Sequence, residues 1–151
     1  SQEAFAELMN TEAKQLGATG THFVNPHGLH DENHYTTTYD LYLMFNEALK
    51  DQAFLDIISM NSYTAKVTSA DGTSYTPTWQ ATNYYSAGEA TPPDGIHVYG
   101  GKTGTTDQAG NCVILYEKNT AGEPYISVIM GASDKPLLYE EMNELLDAGM
   151  K

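Results

Sequence analysis

Gly100-Gly101-Lys102-Thr103-Gly104-Thr105-Thr106 is the stretch on which the reading of this chain turns. It closes an alternating run and stands directly before the turn residues Asp107 to Gly110, so the spacing predicts a strand from about Ile96 to Thr103. A strand end offers backbone groups to an extended peptide, which can bind by strand addition. Gly101 and Gly104 remove side chains where that backbone must be approached closely. Lys102 brings a cation to the vicinity of a nucleophile or a substrate carboxylate, and Thr103 and Thr105 bring hydroxyl donors. The tripeptide K-T-G is short, and an exposed lysine on a Gly-rich strand end has the same letters.

Outward from that strand, alternation returns over about Asn111 to Lys118 and Tyr125 to Gly131. The turns between them are short, so the three strands are expected to form an antiparallel meander. Ser133 is placed to cap a final helix with Leu137, Leu138, Met142, Leu145 and Leu146 inward. Upstream, residues 81 to 95 read as loop. Before them Tyr63, Ala65 and Val67 alternate with polar residues, Asp71-Gly72 is a hairpin turn signal, and the return strand from about Thr73 to Trp79 carries Pro77, an edge residue. Three helices precede the hairpin. The first has Ser1 as cap, Phe5, Leu8, Met9, Ala13 and Leu16 as its stripe, and Gly17 at its end. The second opens on Thr37 and Asp40 at capping-box spacing, with Leu41, Met44, Phe45, Ala48 and Leu49 apolar. The third is capped by Asp51 and carries Phe54, Ile57 and Ile58. The sum is an α+β chain, an antiparallel meander with flanking helices.

Composition narrows the function classes. The 151 residues hold 20 Asp plus Glu against 7 basic residues, all lysine, for a net charge of −13. Nucleic acid and anionic membrane surfaces need clustered cations and are not expected partners. The single cysteine excludes an internal disulfide or a Cys-based zinc cluster.

Beyond the tripeptide, the chain resembles the serine-type D-alanyl-D-alanine carboxypeptidases, the low-molecular-mass penicillin-binding proteins of peptidase family S11. The matching blocks run in family order: Met9-Asn10 with Ala13 and Leu16-Gly17; Thr21-His22-Phe23-Val24-Asn25-Pro26-His27-Gly28-Leu29; Tyr35-Thr36-Thr37-Thr38-Tyr39-Asp40-Leu41; Gly101-Lys102-Thr103-Gly104-Thr105-Thr106 with Asp107, Ala109 and Gly110; and Val128-Ile129-Met130-Gly131-Ala132. The resemblance implies an incomplete portion of the β-lactamase/transpeptidase-like fold, namely the C-terminal part of the penicillin-binding domain over residues 1–151.

That family works with three motifs: S-x-x-K, S-x-N and K-T-G. No serine here is followed by lysine three positions later, and Ser59-Met60-Asn61 matches S-x-N only formally, since the family's motif lies upstream of the segment corresponding to Ser1. The expectation is a chain that starts after the nucleophile and is inactive alone. In the intact protein the resemblance assigns Lys102 to catalysis, near the nucleophile and the substrate's terminal carboxylate. It assigns Thr103, Gly104 and Thr105 to substrate binding, with the Thr105 N–H as half of an oxyanion hole. Some relatives grip the carboxylate with an arginine in this region; this chain has none, which leaves Lys102 and the threonines without a bidentate fork. The implied partners are a peptidoglycan stem peptide ending in D-Ala-D-Ala and, in the intact enzyme, β-lactams; the implied location is extracytoplasmic. No metal and no cofactor is called for.

Other groups carry weaker signals. His27, His30 and His34 with Asp31 and Glu32 do not form H-E-x-x-H, and Pro26, Gly28 and Asn33 argue for hydrogen-bonded loop histidines, with His27 pinning the loop. Cys112 alternates with Ile114 and Tyr116, which predicts a buried apolar role. The 11 tyrosines and one tryptophan admit a glycan-binding face, and with it the alternative of a non-catalytic peptidoglycan-binding module. A partial domain also predicts one under-covered apolar face on the meander, masked by self-association.

Overall fold

In the computed structural model, which describes residues 1–149, the Ser1 hydroxyl accepts from the Ala4 N–H at 3.3 Å and opens α1 (Gln2–Gln15). Gly17, at φ +84°, turns the chain out of that helix. The loop that follows is tied down by asparagine. Asn10 donates to the Phe23 carbonyl at 2.8 Å and accepts from the Phe23 N–H at 2.7 Å, pairing with that residue as a strand neighbour would. Asn25 is buried, donates to the Leu29 carbonyl at 3.0 Å and accepts from the Gly28 N–H at 2.8 Å. The pin of this loop is therefore Asn25; the exposed His27 only accepts from the nearby Leu29 N–H at 3.2 Å.

Helix α2 (Thr38–Ala48) starts on Thr37, whose hydroxyl accepts from the Asp40 N–H at 3.1 Å. The other half of the expected capping box is not made. The buried Asp40 carboxylate accepts instead from the Thr21 hydroxyl at 2.7 Å, fastening the preceding loop to the helix. Asp51 caps α3 (Gln52–Ile58), and Phe45 meets Phe54 edge-on at 5.6 Å between the two helices.

The hairpin is one ladder broken in the middle. β1 (Ser62–Thr64) pairs with β4 (Thr78–Gln80), and β2 (Val67–Thr68) with β3 (Ser74–Tyr75), all in one register. The break falls at Pro77, which has no N–H to give, while its carbonyl accepts from Ala65 N–H at 3.1 Å. The predicted loop at 81–95 contains a short helix, α4 (Tyr84–Ala87), capped by Asn83 and closed by Gly88 at φ +78°. An Asn cap and a Gly stop five residues apart are a helix signal that a loop composition hides.

The meander is as expected, ordered β5 (Ile96–Thr106), β6 (Gly110–Asn119) and β7 (Pro124–Ala132) and antiparallel throughout. β5 runs three residues beyond the predicted end, so the K-T-G residues lie inside it. Helix α5 (Lys135–Gly149) begins on Asp134, not Ser133: the Asp134 carboxylate accepts from the Leu137 N–H at 2.9 Å. α5 buries Leu138, Tyr139, Met142 and Leu146 against Val113 and Leu115 of β6. Leu145, expected inward, is 41% exposed, and Tyr139 takes the place in its stripe.

The two faces of the meander are covered unequally. Opposite α5 lie Cys112, Ile114, Tyr116, Ile126 and Val128, of which only Ile114 is buried. Cys112 is thus half-buried rather than a core residue. More apolar surface stays open on α1, where Phe5 is 53% and Leu8 66% exposed beside Leu16, Phe23 and Met44. No helix among the described residues is long and apolar enough to cross a membrane.

Candidate functional site

β5 is an outer strand: β6 pairs with one of its edges, and among the described residues no strand pairs with the other. Its backbone groups on the free edge can therefore receive an added chain. The glycines in this stretch act differently from one another. A Cβ on Gly100 would sit 1.9 Å from the Ile58 carbonyl oxygen, and one on Gly101 2.1 Å from the Ile114 carbonyl oxygen. Those two glycines let α3 and β6 close onto the strand. At Gly104 a Cβ would meet nothing within 4 Å, so the glycine inside the motif opens outward.

Pleating divides the motif's side chains. Lys102 and Gly104 pair with Ile114 and Cys112, while Thr103 and Thr105 pair with Val113 and Asn111 and point to the other face. Lys102 is exposed, donates to the carbonyl of Thr103, and borders a recess formed by Ile57, Ile58, Met60, Gln80 and Ala81. Ser59 spends its hydroxyl on the Leu55 carbonyl at 2.7 Å, as a helix-end residue.

Thr103 and Thr105 border a second pocket of about 200 Å³ with Asn111, Lys135, Tyr139 and Thr82, the last of which also lines the Lys102 recess. The Thr103 and Thr82 hydroxyl oxygens are 2.7 Å apart, and the Thr105 hydroxyl donates to the Asn111 carboxamide oxygen at 3.3 Å. Asn111 is oriented by donating its NH₂ to the Ala132 carbonyl at 3.3 Å. Tyr139 anchors the wall. Its hydroxyl accepts from the Tyr84 N–H at 2.9 Å, its ring stacks on Tyr84 at 4.4 Å, and Tyr85 meets it edge-on at 5.3 Å. Burial raises the hydroxyl pKa of Tyr139 and of Tyr85, so both stay neutral donors at physiological pH.

Sequence reasoning singled out Lys102, Thr103, Gly104 and Thr105; beside Thr103 and Thr105 the structure also places Thr82, Asn111, Lys135 and Tyr139, which it did not single out. Asn111 could have been reached by drawing the meander's register, which sets it opposite Thr105. No local pattern marks the other three. The loop histidines lie elsewhere: His22 Nδ1 is 2.6 Å from the Asn33 carbonyl, and His34 accepts from the Val24 N–H at 3.1 Å. Burial lowers the His34 pKa, with Asp31 acting in the opposite direction.

Comparison with known proteins bears directly on this arrangement. A family model described as D-alanyl-D-alanine carboxypeptidase, peptidase S11, matches residues 1–134. The chain is similar to the D-alanyl-D-alanine carboxypeptidase DacF of Bacillus subtilis (strain 168), with 29% identity over 97% of this chain and 35% of that protein. It is similar also to the D-alanyl-D-alanine carboxypeptidase of Streptomyces sp. (strain K15), at 26% identity over 97% of this chain and 48% of that one. A solved variant of the Streptomyces K15 DD-transpeptidase superposes with a TM-score of 0.88 and 26% identity, covering 99% of this chain and 55% of that chain. The chain thus spans about half or less of the length of these relatives.

Proposed function

The chain belongs to the D-alanyl-D-alanine carboxypeptidase family of peptidase S11, and from that premise we propose that residues 1–151 are the C-terminal portion of a serine-type catalytic domain. The whole enzyme removes the terminal D-Ala from peptidoglycan stem peptides, outside the cytoplasm, and is acylated by penicillins. The observation that carries this reading is the placement of Lys102-Thr103-Gly104 within an outer strand whose free edge and open Gly104 leave room for an extended peptide.

The residues act on the substrate in the following way. The peptide adds to the free edge of β5 as a further strand. Lys102 supplies positive charge beside the nucleophile, and Thr103 and Thr105 hydrogen-bond the terminal carboxylate. The backbone N–H of Thr105 donates to the oxygen that becomes negative when the serine hydroxyl adds to the penultimate D-Ala carbonyl. The serine proton passes to the leaving D-Ala amine, and water then releases the acyl group. The serine is not among these 151 residues, so this polypeptide by itself carries out no acylation.

Two experiments test the proposal. The coding sequence upstream of Ser1 is expected to specify S-x-x-K and then S-x-N. Fluorescent penicillin is expected to label the upstream-extended protein covalently and to leave the 151-residue chain unlabelled. Covalent labelling of the short chain, or an upstream sequence without S-x-x-K, would overturn it.

A further inference from the structure

We propose that the apolar face of the hairpin formed by β1 to β4 is a sugar-binding platform, on which Tyr63 and Trp79 stack a neutral N-acetylated sugar of the glycan strand that carries the stem peptides. This rests on the reading of the chain as part of a peptidoglycan peptidase. Residues 62–80 sort their side chains by chemistry. The pairs Tyr63↔Trp79 and Val67↔Tyr75 lie in one register, and strand alternation puts Ala65 and Pro77 between them on the same face. Thr64 with Thr78, and Thr68 with Ser74, take the opposite face together with Lys66; their hydroxyl oxygens pair across the strands at 2.7 and 3.0 Å. Antiparallel strands commonly turn the apolar face to a core and the polar face to water. Here both faces meet water: Tyr63, Tyr75 and Trp79 are each more than half exposed. A two-stranded hairpin is marginal in water by itself, and three aromatic rings left open on one of its faces mark a surface that works by contact.

The place of the hairpin and its charge identify the partner. β4 leads through Ala81 into Thr82, whose hydroxyl oxygen is 2.7 Å from that of Thr103, so the hairpin stands beside the K-T-G strand. A groove of about 640 Å³ at its base is lined by Tyr63 and Trp79 together with Ile57 and Met60, a size usual for small-ligand sites. Ile57, Met60, Gln80 and Ala81 also line the recess that Lys102 borders, so the groove continues into the candidate site. No charged residue lines the groove, and residues 62–80 hold one lysine and one aspartate, in a chain whose net charge is −13. A basic peptide finds no carboxylate there, and an anionic lipid surface is repelled by the rest of the chain. A sugar ring is neutral and lays a flat face of C–H groups on an aromatic ring while its hydroxyls stay in water, the amphipathic contact that Tyr and Trp suit. The acetamido methyl fits against Ile57 and Met60, and the Ser62 hydroxyl and Gln80 carboxamide serve its polar atoms. A glycan strand held there keeps its stem peptides near β5 by raising their local concentration.

The test uses the upstream-extended protein with two substrates: a free peptide ending in D-Ala-D-Ala, and uncrosslinked glycan strands bearing the same peptide. Trp79→Ala is expected to raise the ratio of the strand's KM to the free peptide's KM about tenfold, the loss of one aromatic anchor. Trp79→Phe should recover most of it, and Lys66→Ala, on the polar face, should leave the ratio as in wild type. Binding is read apart from activity with N-acetylchitotetraose, a soluble N-acetylglucosamine oligomer. The emission of Trp79, taken as the difference from Trp79→Phe, should shift to the blue and resist acrylamide quenching as the sugar is added. A ratio that Trp79→Ala leaves unaltered, or a Trp79 signal indifferent to the sugar, would overturn the platform. So would a Trp79 already shielded without sugar: shielding at every protein concentration assigns the face to the upstream portion, and shielding that rises with concentration assigns it to a second copy. If the wild-type protein cleaves neither substrate and takes up no penicillin while Trp79 still answers to the sugar, the peptidase reading falls and the platform stands.

Discussion

Glu117 sits in the middle of β6 with no exposed surface, and replacing it by glutamine should change how stability depends on pH. One carboxyl oxygen accepts from the Ser127 hydroxyl at 2.6 Å; the other, Oε2, has no hydrogen-bond partner among the described residues. Burial dominates and raises its pKa from 4.5 to about 7, with the Ser127 bond acting in the opposite sense. Tyr85 is the titratable neighbour whose own pKa this carboxylate raises further. Below pH 4.5 the side chain is protonated in both folded and unfolded chains and contributes no pH dependence. Between 4.5 and about 7 the unfolded chain loses the proton while the folded chain keeps it, so stability falls as pH rises. Above that window both forms are ionised and the loss stays constant. The gap from 4.5 to about 7, at about 1.36 kcal/mol per pH unit, amounts to about 3 kcal/mol. Glu117→Gln does not titrate, and its cost is the unpaired NH₂ group, about 1–3 kcal/mol at every pH. The variant should be the less stable protein at pH 4 and equal or surpass wild type at pH 8. The difference between the two should shift by about 3 kcal/mol in the variant's favour. Urea unfolding followed by far-ultraviolet circular dichroism at a series of pH values measures this. The single tryptophan, Trp79, is 54% exposed on the hairpin and a poor reporter of the core. Parallel pH profiles for the two proteins would refute the reasoning.

Two glycine substitutions should separate structural from substrate-facing roles in the same strand. Gly100→Ala drives a methyl into the Ile58 carbonyl and should cost more than about 3 kcal/mol or prevent folding, whereas Gly104→Ala should leave the unfolding midpoint within about 0.5 kcal/mol of wild type. In the upstream-extended protein, the Gly104→Ala variant should nonetheless slow acylation by penicillin; unaltered acylation would count against peptide binding along β5. The open apolar surface around Phe5 and Leu8 predicts that the isolated chain self-associates, and that Leu8→Lys shifts it toward monomer in sedimentation velocity. A compact monomer at all concentrations for the unsubstituted chain would contradict that expectation.

Much of the fold was legible because its signals are local. The caps at Ser1, Thr37 and Asp51, the turn at Asp71-Gly72 and the three alternating runs each depend on residues a few positions apart, and each appears in the structure. The misreadings share the opposite cause. Asp40 left its capping box for Thr21, 19 residues away, because a buried carboxylate takes the donor that tertiary packing brings to it. Asp134 displaced Ser133 as the cap because α5 had to begin where its apolar stripe meets β6, and Cys112 faces the less covered side of the meander for the same reason. The long β5 carried the motif past the predicted strand end because its ladder with β6 continues to Thr106↔Gly110.

By itself the sequence determined the family, through ordered blocks around Asn10, Asn25, Asp40 and Lys102, and the α+β order of elements. It also singled out the strand residues Lys102, Thr103, Gly104 and Thr105 as candidates. Only the tertiary structure decided how the site divides. Pleating sends Lys102 to one face and Thr103 with Thr105 to the other, and the packing of α5 on β6 brings Lys135, 32 residues after Thr103 in the chain, to the threonines' side. Spacing along a chain fixes which residues share a strand. Which cation meets which hydroxyl depends on how separate elements pack, and no local pattern records that.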